Sequence, residues 1–361
     1  MLMTSIFPAR YVQGAGALAL LPEEAARLGT RALAVVSGSA RPLVEKALAG
    51  QTLLDMTLEA FNSECCDEEI ERLVSLAKQA RADVIVGIGG GKPLDTAKAV
   101  AHALKLPVVV VPSIASTDAP CSALSVIYTC EGAFKRSLVL RRNPDVVLVD
   151  SEVVANAPVR FLVSGMGDAL STWFEAEDCR ESQAKNMTGR TGTRTAYGLA
   201  RLCFDTLMAD GLAAKKSCEG KSVSPELERI IEANTLLSGL GFESGGLSGA
   251  HAIHNGFTAL AATHKYWHGE KVAIGTLSLL MLTKRPAEMV SRVYDFCQSV
   301  GLPICLADIG LADPTDAQLM EVARLACAPG ETIHNIKGDV TPEAVLAAIK
   351  AADAEGRRRK A

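Results

Sequence analysis

The sequence is poor in the features that would send it to a membrane or out of the cell. No apolar run reaches the length of a bilayer span, and the start, Met1-Leu-Met-Thr-Ser-Ile-Phe-Pro8, lacks the basic residues and long apolar stretch of a secretory leader. There is no Cys-x-x-Cys pair to build a thiolate zinc site, so the ten cysteines read as reduced, mostly packed thiols of a cytoplasmic protein. A net charge of −4 offers nothing to nucleic acid or an anionic membrane, and the short basic tail Arg357–Lys360 reads as a solvated helix end. Internal repeats and low-complexity linkers are absent too. What remains, 48% hydrophobic and 22% charged over 361 residues, is an ordinary globular chain long enough for two domains.

Histidine is scarce as well, and its distribution is uneven. Of six histidines, four (His251, His254, His264 and His268) lie in Gly249-Ala-His251-Ala-Ile-His254-Asn-Gly and the segment that follows it to Trp267-His268-Gly-Glu-Lys. Imidazole binds divalent transition metals at neutral pH, so this clustering marks a candidate metal site.

The first part alternates short apolar runs with helical patterns. Residues 31–36, 83–88, 107–112 and 146–150 read as strands, 68–80 and 93–104 as helices. Continuous apolar strands separated by helices predict a parallel sheet buried on both faces, with ligands at the carboxyl ends of its strands. From about residue 158 the pattern becomes helical: 226–240, 272–282, 286–300 and 342–352 all carry helical periodicity. The expected architecture is a Rossmann-like α/β nucleotide-binding domain over residues 1–158 and an all-α metal- and substrate-binding domain over 159–361.

Between a strand and a helix stands Gly87-Ile-Gly89-Gly90-Gly91-Lys92-Pro-Leu-Asp95. Glycines there let the backbone approach a phosphate at a helix N-terminus. The spacing fits neither familiar phosphate motif. Lys92 replaces the last glycine of GxGxxG, and Val86 and Pro93 break the P-loop pattern.

Gly89-Gly-Gly-Lys-Pro-Leu-Asp-Thr-Ala-Lys98 resembles the nucleotide-binding signature of the iron-containing alcohol dehydrogenase superfamily, whose architecture is that of the dehydroquinate synthase-like proteins. Residues 114–128, Gly165-Met-Gly-Asp-Ala-Leu-Ser-Thr-Trp-Phe-Glu-Ala176, Phe242-Glu-Ser-Gly-Gly-Leu, His268-Gly-Glu-Lys-Val-Ala and Gly330-Glu-Thr-Ile-His-Asn335 narrow the likeness to its glycerol dehydrogenase branch. It runs from about residue 8 to 355.

The resemblance implies reversible oxidation of glycerol to dihydroxyacetone with hydride transfer to NAD. It also implies a metal held by Asp168, His251 and His268. Iron-dependent relatives carry a fourth ligand, a histidine, where this chain has Thr172, so the donor set points to three-ligand Zn²⁺ ahead of Fe²⁺ or Mn²⁺. His254 is expected as a substrate contact or support. Asp118 is the position that holds polyol hydroxyls. Gly89, Gly90, Gly91, Lys92 and Asp95 would surround the pyrophosphate, with Ser113 (threonine in relatives), Ser116, Ser122, Leu124 and Tyr128 along the path to the nicotinamide. Relatives commonly assemble as homo-oligomers.

One departure bears on the cofactor. Relatives carry an aspartate after the first strand for the adenosine ribose, and this chain reads Val36-Ser37-Gly38-Ser39-Ala-Arg41 there. Losing that carboxylate removes a contact with NAD and a repulsion against the 2′-phosphate of NADP, which Arg41 could receive. Other readings are a hydroxycarbonyl or hydroxycarboxylate reductase on the same scaffold, or a dehydroquinate synthase-like lyase. The lyase would need an Arg/Lys cluster, and Lys265 and Lys271 alone stand near the histidines in sequence.

Overall fold

Apolar runs rich in valine and isoleucine form the centre of a parallel sheet, since only strands covered on both faces tolerate unbroken apolar sequence. The computed structural model describes residues 2–62 and 64–361. Its strands are β1 (Tyr11–Gly14), β2 (Arg31–Val36), β3 (Asp55–Ala60), β4 (Val84–Gly89), β5 (Val108–Pro112), β6 (Leu124–Tyr128), β7 (Phe134–Val139) and β8 (Val146–Asp150). Six of them pair in parallel in the order β1-β8-β5-β4-β2-β3, while β6 and β7 make a separate antiparallel hairpin. Every residue of β4, β5 and β8 is buried. The edge strands β1 and β3 and the hairpin carry mixed sequence, such as Asp55-Met-Thr-Leu-Glu-Ala60, and periodicity alone does not reveal them.

From β2 the chain moves outward to β3, then returns to pair β4 on the other side of β2. The direction of winding reverses between β2 and β4, and their carboxyl ends open a crevice of the kind that holds ligands in such sheets. The Ser37 amide donates to the Ile88 carbonyl at 2.9 Å, tying the two ends together.

The described chain divides into two compact units, one of residues 6–159 and 217–239, the other of residues 2–5, 160–216 and 240–361. The first break lies next to the expected 158/159 boundary, but the second part is not continuous. Residues 217–239 return to the α/β unit, because their polar groups complete its buried bonds. Gln13 Nε2 donates to the Glu228 carbonyl at 2.8 Å, Tyr11 pairs with the Thr235 hydroxyl at 2.7 Å, and Asn234 Nδ2 donates to the Ala115 carbonyl at 3.0 Å. The expected single helix over 226–240 is interrupted here by a π-helical turn, Ala233–Leu237.

The other unit is helical. Its long members include Val159–Ser182, Gly249–Phe257, His268–Leu282, Ala287–Val300, Asp316–Ala326 and Pro342–Lys360. The tail ends the last helix with Arg357, Arg358 and Lys360 exposed, as expected, while Arg359 is partly buried. Arg359 is stacked over Tyr294 at 4.9 Å from the ring centroid and pairs with Asp295 and Glu355, each at 2.6 Å.

Candidate metal centre and dinucleotide crevice

Three helices of the helical unit bring Asp168, His251 and His268 together. Two of them cross the third, His268–Leu282, at glycines. A Cβ on Gly269 would lie 1.8 Å from the Ser164 carbonyl oxygen, and one on Gly167 would lie 2.4 Å from the Gly269 carbonyl oxygen. These contacts draw helix Val159–Ser182 against the start of His268–Leu282. A Cβ on Gly275 would lie 2.3 Å from the Ala250 carbonyl oxygen, which does the same for helix Gly249–Phe257. Backbone approach at these points leaves the side chains of Asp168, His251 and His268 facing one another.

His251 Nε2 stands 3.4 Å and His268 Nε2 3.1 Å from Asp168 Oδ1. Ligands about 2.0–2.1 Å from a tetrahedral zinc are about 3.3 Å apart, so the donor set is already spaced for such an ion. Asp168 is 1% exposed, whereas the His268 side chain is 38% exposed, leaving the cluster open on one side.

Glu175, fully buried two turns after Asp168 on the same helix, fixes the second ligand. Its Oε2 bonds His251 Nδ1 at 2.6 Å, while Oε1 accepts from the Ser248 and His251 amides at 2.9 and 3.1 Å. One carboxylate thus caps the N-terminus of helix Gly249–Phe257 and sets the tautomer that turns the Nε2 lone pair toward Asp168.

The electrostatics suit a cation. Burial opposes charge on both Asp168 and His251, yet neighbours prevail: His268 and His251 hold Asp168 far below the usual carboxylate range, and Glu175 and Asp168 raise His251 well above an ordinary imidazole. A divalent ion can take the place of the protons that this arrangement attracts.

His254 packs against His268 with ring centroids 4.3 Å apart, and burial, then His268 and Lys271, keep it neutral. Thr172 is one turn beyond Asp168; its methyl would lie 2.4 Å from a Cβ on Gly241, which explains the glycine there. His264 lies apart, its Nε2 on the Thr258 carbonyl at 2.8 Å.

In the α/β unit, the glycine-rich turn ends β4 and opens helix Gly91–Leu104. Gly89 has a φ of +148°, a conformation other residues avoid. A Cβ on Gly91 would meet no atom within 4 Å, so the helix N-terminus presents bare amides to the crevice. The Ser37 hydroxyl, buried beside the turn, has no hydrogen-bond partner among the described residues. Bare amides and an unsatisfied hydroxyl at a switch point fit a dinucleotide.

The remaining expected residues divide by role. Lys92 pairs with Glu64 at 2.6 Å and lies over the Tyr128 ring, with Nζ 5.3 Å from its centroid. Asp95 Oδ2 accepts from the Val126 amide at 2.9 Å and its other oxygen pairs with the buried Lys98 at 2.8 Å, so its carboxylate anchors β6. The Ser122 hydroxyl donates to the Ala119 carbonyl, and the Ser113 amide donates to the Gly89 carbonyl. Gly90 approaches Ile114, while Ser116 and Leu124 flank the turn that carries Asp118. Asp118 Oδ2 accepts from the Ser238 hydroxyl at 2.7 Å.

Comparison with known proteins agrees with this geometry. Residues 8–151 match the family model described as iron-containing alcohol dehydrogenase. A glycerol dehydrogenase of Thermotoga maritima is 61% identical over 100% of this chain and 99% of its own length. One from Citrobacter freundii is 52% identical over 97% of each. The crystal structure of a probable glycerol dehydrogenase from Sinorhizobium meliloti superposes with a TM-score of 0.94 at 46% identity, covering 99% of this chain and 100% of the other. The chain belongs to the iron-containing alcohol dehydrogenase family. It is therefore a metal-dependent oxidoreductase of that family's glycerol dehydrogenase branch.

Three residues that hold these groups in place were not singled out from the sequence. Glu175 carries a signal, since it repeats the Asp168 face seven residues on. Lys98, which with Asp95 holds the loop around Asp118, resembles any helix lysine in sequence. Ser238 has no local signal, because a π-helical turn 120 residues away from Asp118 presents it.

Proposed function

We propose that this chain catalyses the reversible oxidation of glycerol to dihydroxyacetone, with NAD as hydride acceptor and Zn²⁺ held by Asp168, His251 and His268. The observation that carries the reading is the spacing of those three donors together with the Glu175–His251 bond. Zn²⁺ bound there supplies a Lewis acid that polarises a hydroxyl and eases loss of its proton. The nicotinamide supplies the hydride acceptor.

The chain's own residues do the rest. Glu175 keeps the His251 Nε2 lone pair free for the ion, and neutral His254 accepts hydrogen bonds near the open face of His268. Asp118, oriented by Ser238, accepts two hydrogen bonds from a vicinal diol. Gly89, Gly90 and Gly91 admit the pyrophosphate to the helix N-terminus, beside Lys92 and the half-buried Tyr128. Ser113, Ser116, Ser122 and Leu124 line the path onward. Ser37 takes over part of the ribose contact that an aspartate at position 38 would make, and this favours NAD. Arg41 is already paired with Glu45 at 2.8 Å on the surface, which counts against its being reserved for a 2′-phosphate. A cytoplasmic homo-oligomer completes the proposal.

Initial rates of nicotinamide reduction with glycerol, run in parallel with NAD and NADP on metal-analysed protein, test it. Fast reduction with NAD and one zinc per chain is the expected result. Faster reduction with NADP overturns the cofactor assignment, and no rate with either overturns the substrate. His268→Ala should lose metal and turnover together.

A further inference from the structure

Besides the metal centre, one other group of ligating or nucleophilic side chains is assembled among the described residues: Cys66, Glu68 and Cys130. Cys130 Sγ donates to Cys66 Sγ at 2.9 Å and to Glu68 Oε2 at 3.1 Å. The fold holds both sulfurs in place. The Cys66 backbone stands at the N-terminus of helix Asp67–Gln79 and forms an isolated β-bridge with Tyr128, while the Tyr128 amide donates to the Cys65 carbonyl at 2.8 Å. Cys130 sits in the turn between β6 and β7, closed by the Thr129 amide on the Ala133 carbonyl at 2.7 Å.

The two thiols differ in access. Cys66 is buried, and Cys130 is exposed, which no other described cysteine is. An exposed thiol that can meet an oxidant, touching a buried one that can resolve the product, is the layout of a redox pair.

We propose that Cys66 and Cys130 form a redox-active dithiol that closes to a disulfide when a hydroperoxide is the oxidant. The Cys130 sulfur attacks the peroxide, breaking the O–O bond to give a sulfenic acid and an alcohol, or water from hydrogen peroxide. Cys66 then attacks the Cys130 sulfur, forming the S–S bond and releasing the sulfenic oxygen as water. Two thiols are oxidised and one peroxide is reduced. Cys66 and then Glu68 push the Cys130 thiol up to about 12, so it stays a donor at neutral pH and the first step is slow. Metal binding fits the cluster less well. Two thiolates about 2.3 Å from a tetrahedral zinc stand about 3.7 Å apart, wider than these sulfurs, and only three donors converge.

The test is peroxide treatment of the reduced, full-length protein at pH 8, followed by alkylation and peptide mass analysis. The expected result is a Cys66–Cys130 linked peptide, reversed by dithiothreitol, and a raised Tm, because the link closes a long loop of chain. Cys66→Ser should yield no link and a dimedone-trapped sulfenic acid at Cys130, while Cys130→Ser should leave Cys66 alkylatable after the same treatment. The proposal is overturned if both thiols of the native chain remain alkylatable, if Cys65 is the partner linked to Cys130, or if added Zn²⁺ alone binds there and protects both sulfurs.

Discussion

Glu175 touches no substrate in the proposed reaction, yet its carboxylate holds a ligand and a helix terminus at once. Glu175→Gln keeps the shape and loses the charge, so zinc affinity should fall about 10–100-fold, read by competition with a chelator, with far-ultraviolet circular dichroism unchanged. Gly38 gives a second prediction. Its φ is not in the left-handed region and a Cβ there would meet nothing within 4 Å, so Gly38→Asp is sterically free. The new carboxylate should lower KM for NAD and, by repelling the 2′-phosphate, weaken any activity with NADP about tenfold, equivalent to about 1.4 kcal/mol. Ser238→Ala should raise KM for glycerol several-fold with zinc content intact, because Asp118 loses the hydroxyl that aims it. At this scale the sequence was informative where chemistry concentrates rare residue types. His251 and His268 stand out from histidine scarcity and Asp168 from the family likeness, whereas Glu175 is marked only by its seven-residue spacing from Asp168 and Ser238 depends on a turn formed far along the chain.

Between elements, the separation of Asp168 from His268 is governed by helix crossings. Gly269→Ala places a methyl against the Ser164 backbone, which cannot yield as a flexible side chain would. It should cost about 1–3 kcal/mol of stability and release zinc, measured by Tm and metal content. Gly91→Ala is the contrast: the site is open, so Tm should hold while KM for the dinucleotide rises as the methyl blocks the helix N-terminus. The central strands β2, β4, β5 and β8 were legible because burial on both faces leaves unbroken apolar runs. The edges β1 and β3 were not, since one-sided pairing permits Asp55 or Glu59, and neither were the β6–β7 hairpin and the π-helical turn. The basic tail does end a helix with Arg357, Arg358 and Lys360 exposed, as expected; what periodicity did not reveal is that Arg359 and Lys360 pair with Asp295 and Asp308 from elsewhere in the fold.

At the level of the whole molecule, the α/β unit borrows residues 217–239, and with them Glu228, Asn234, Thr235 and Ser238. A fragment of residues 6–159 lacks Glu228, Thr235 and Ser238, which bond Gln13, Tyr11 and Asp118. It should therefore expose apolar surface to a dye such as ANS and melt without a sharp transition, while co-expression with the remaining chain should restore order. The same return segment sets a schedule during synthesis. A ribosome that has released β8 still has to make the first long helices of the other unit before it reaches residues 217–239, which complete the buried bonds of the α/β unit. At about 5–20 residues per second, the interval between Val159 and Gly239 lasts on the order of ten seconds. During that time every strand exists but Gln13, Asp118 and the Ala115 carbonyl still lack their partners from residues 217–239, while helices of the other unit are already being made, so neither unit is finished before the other is begun.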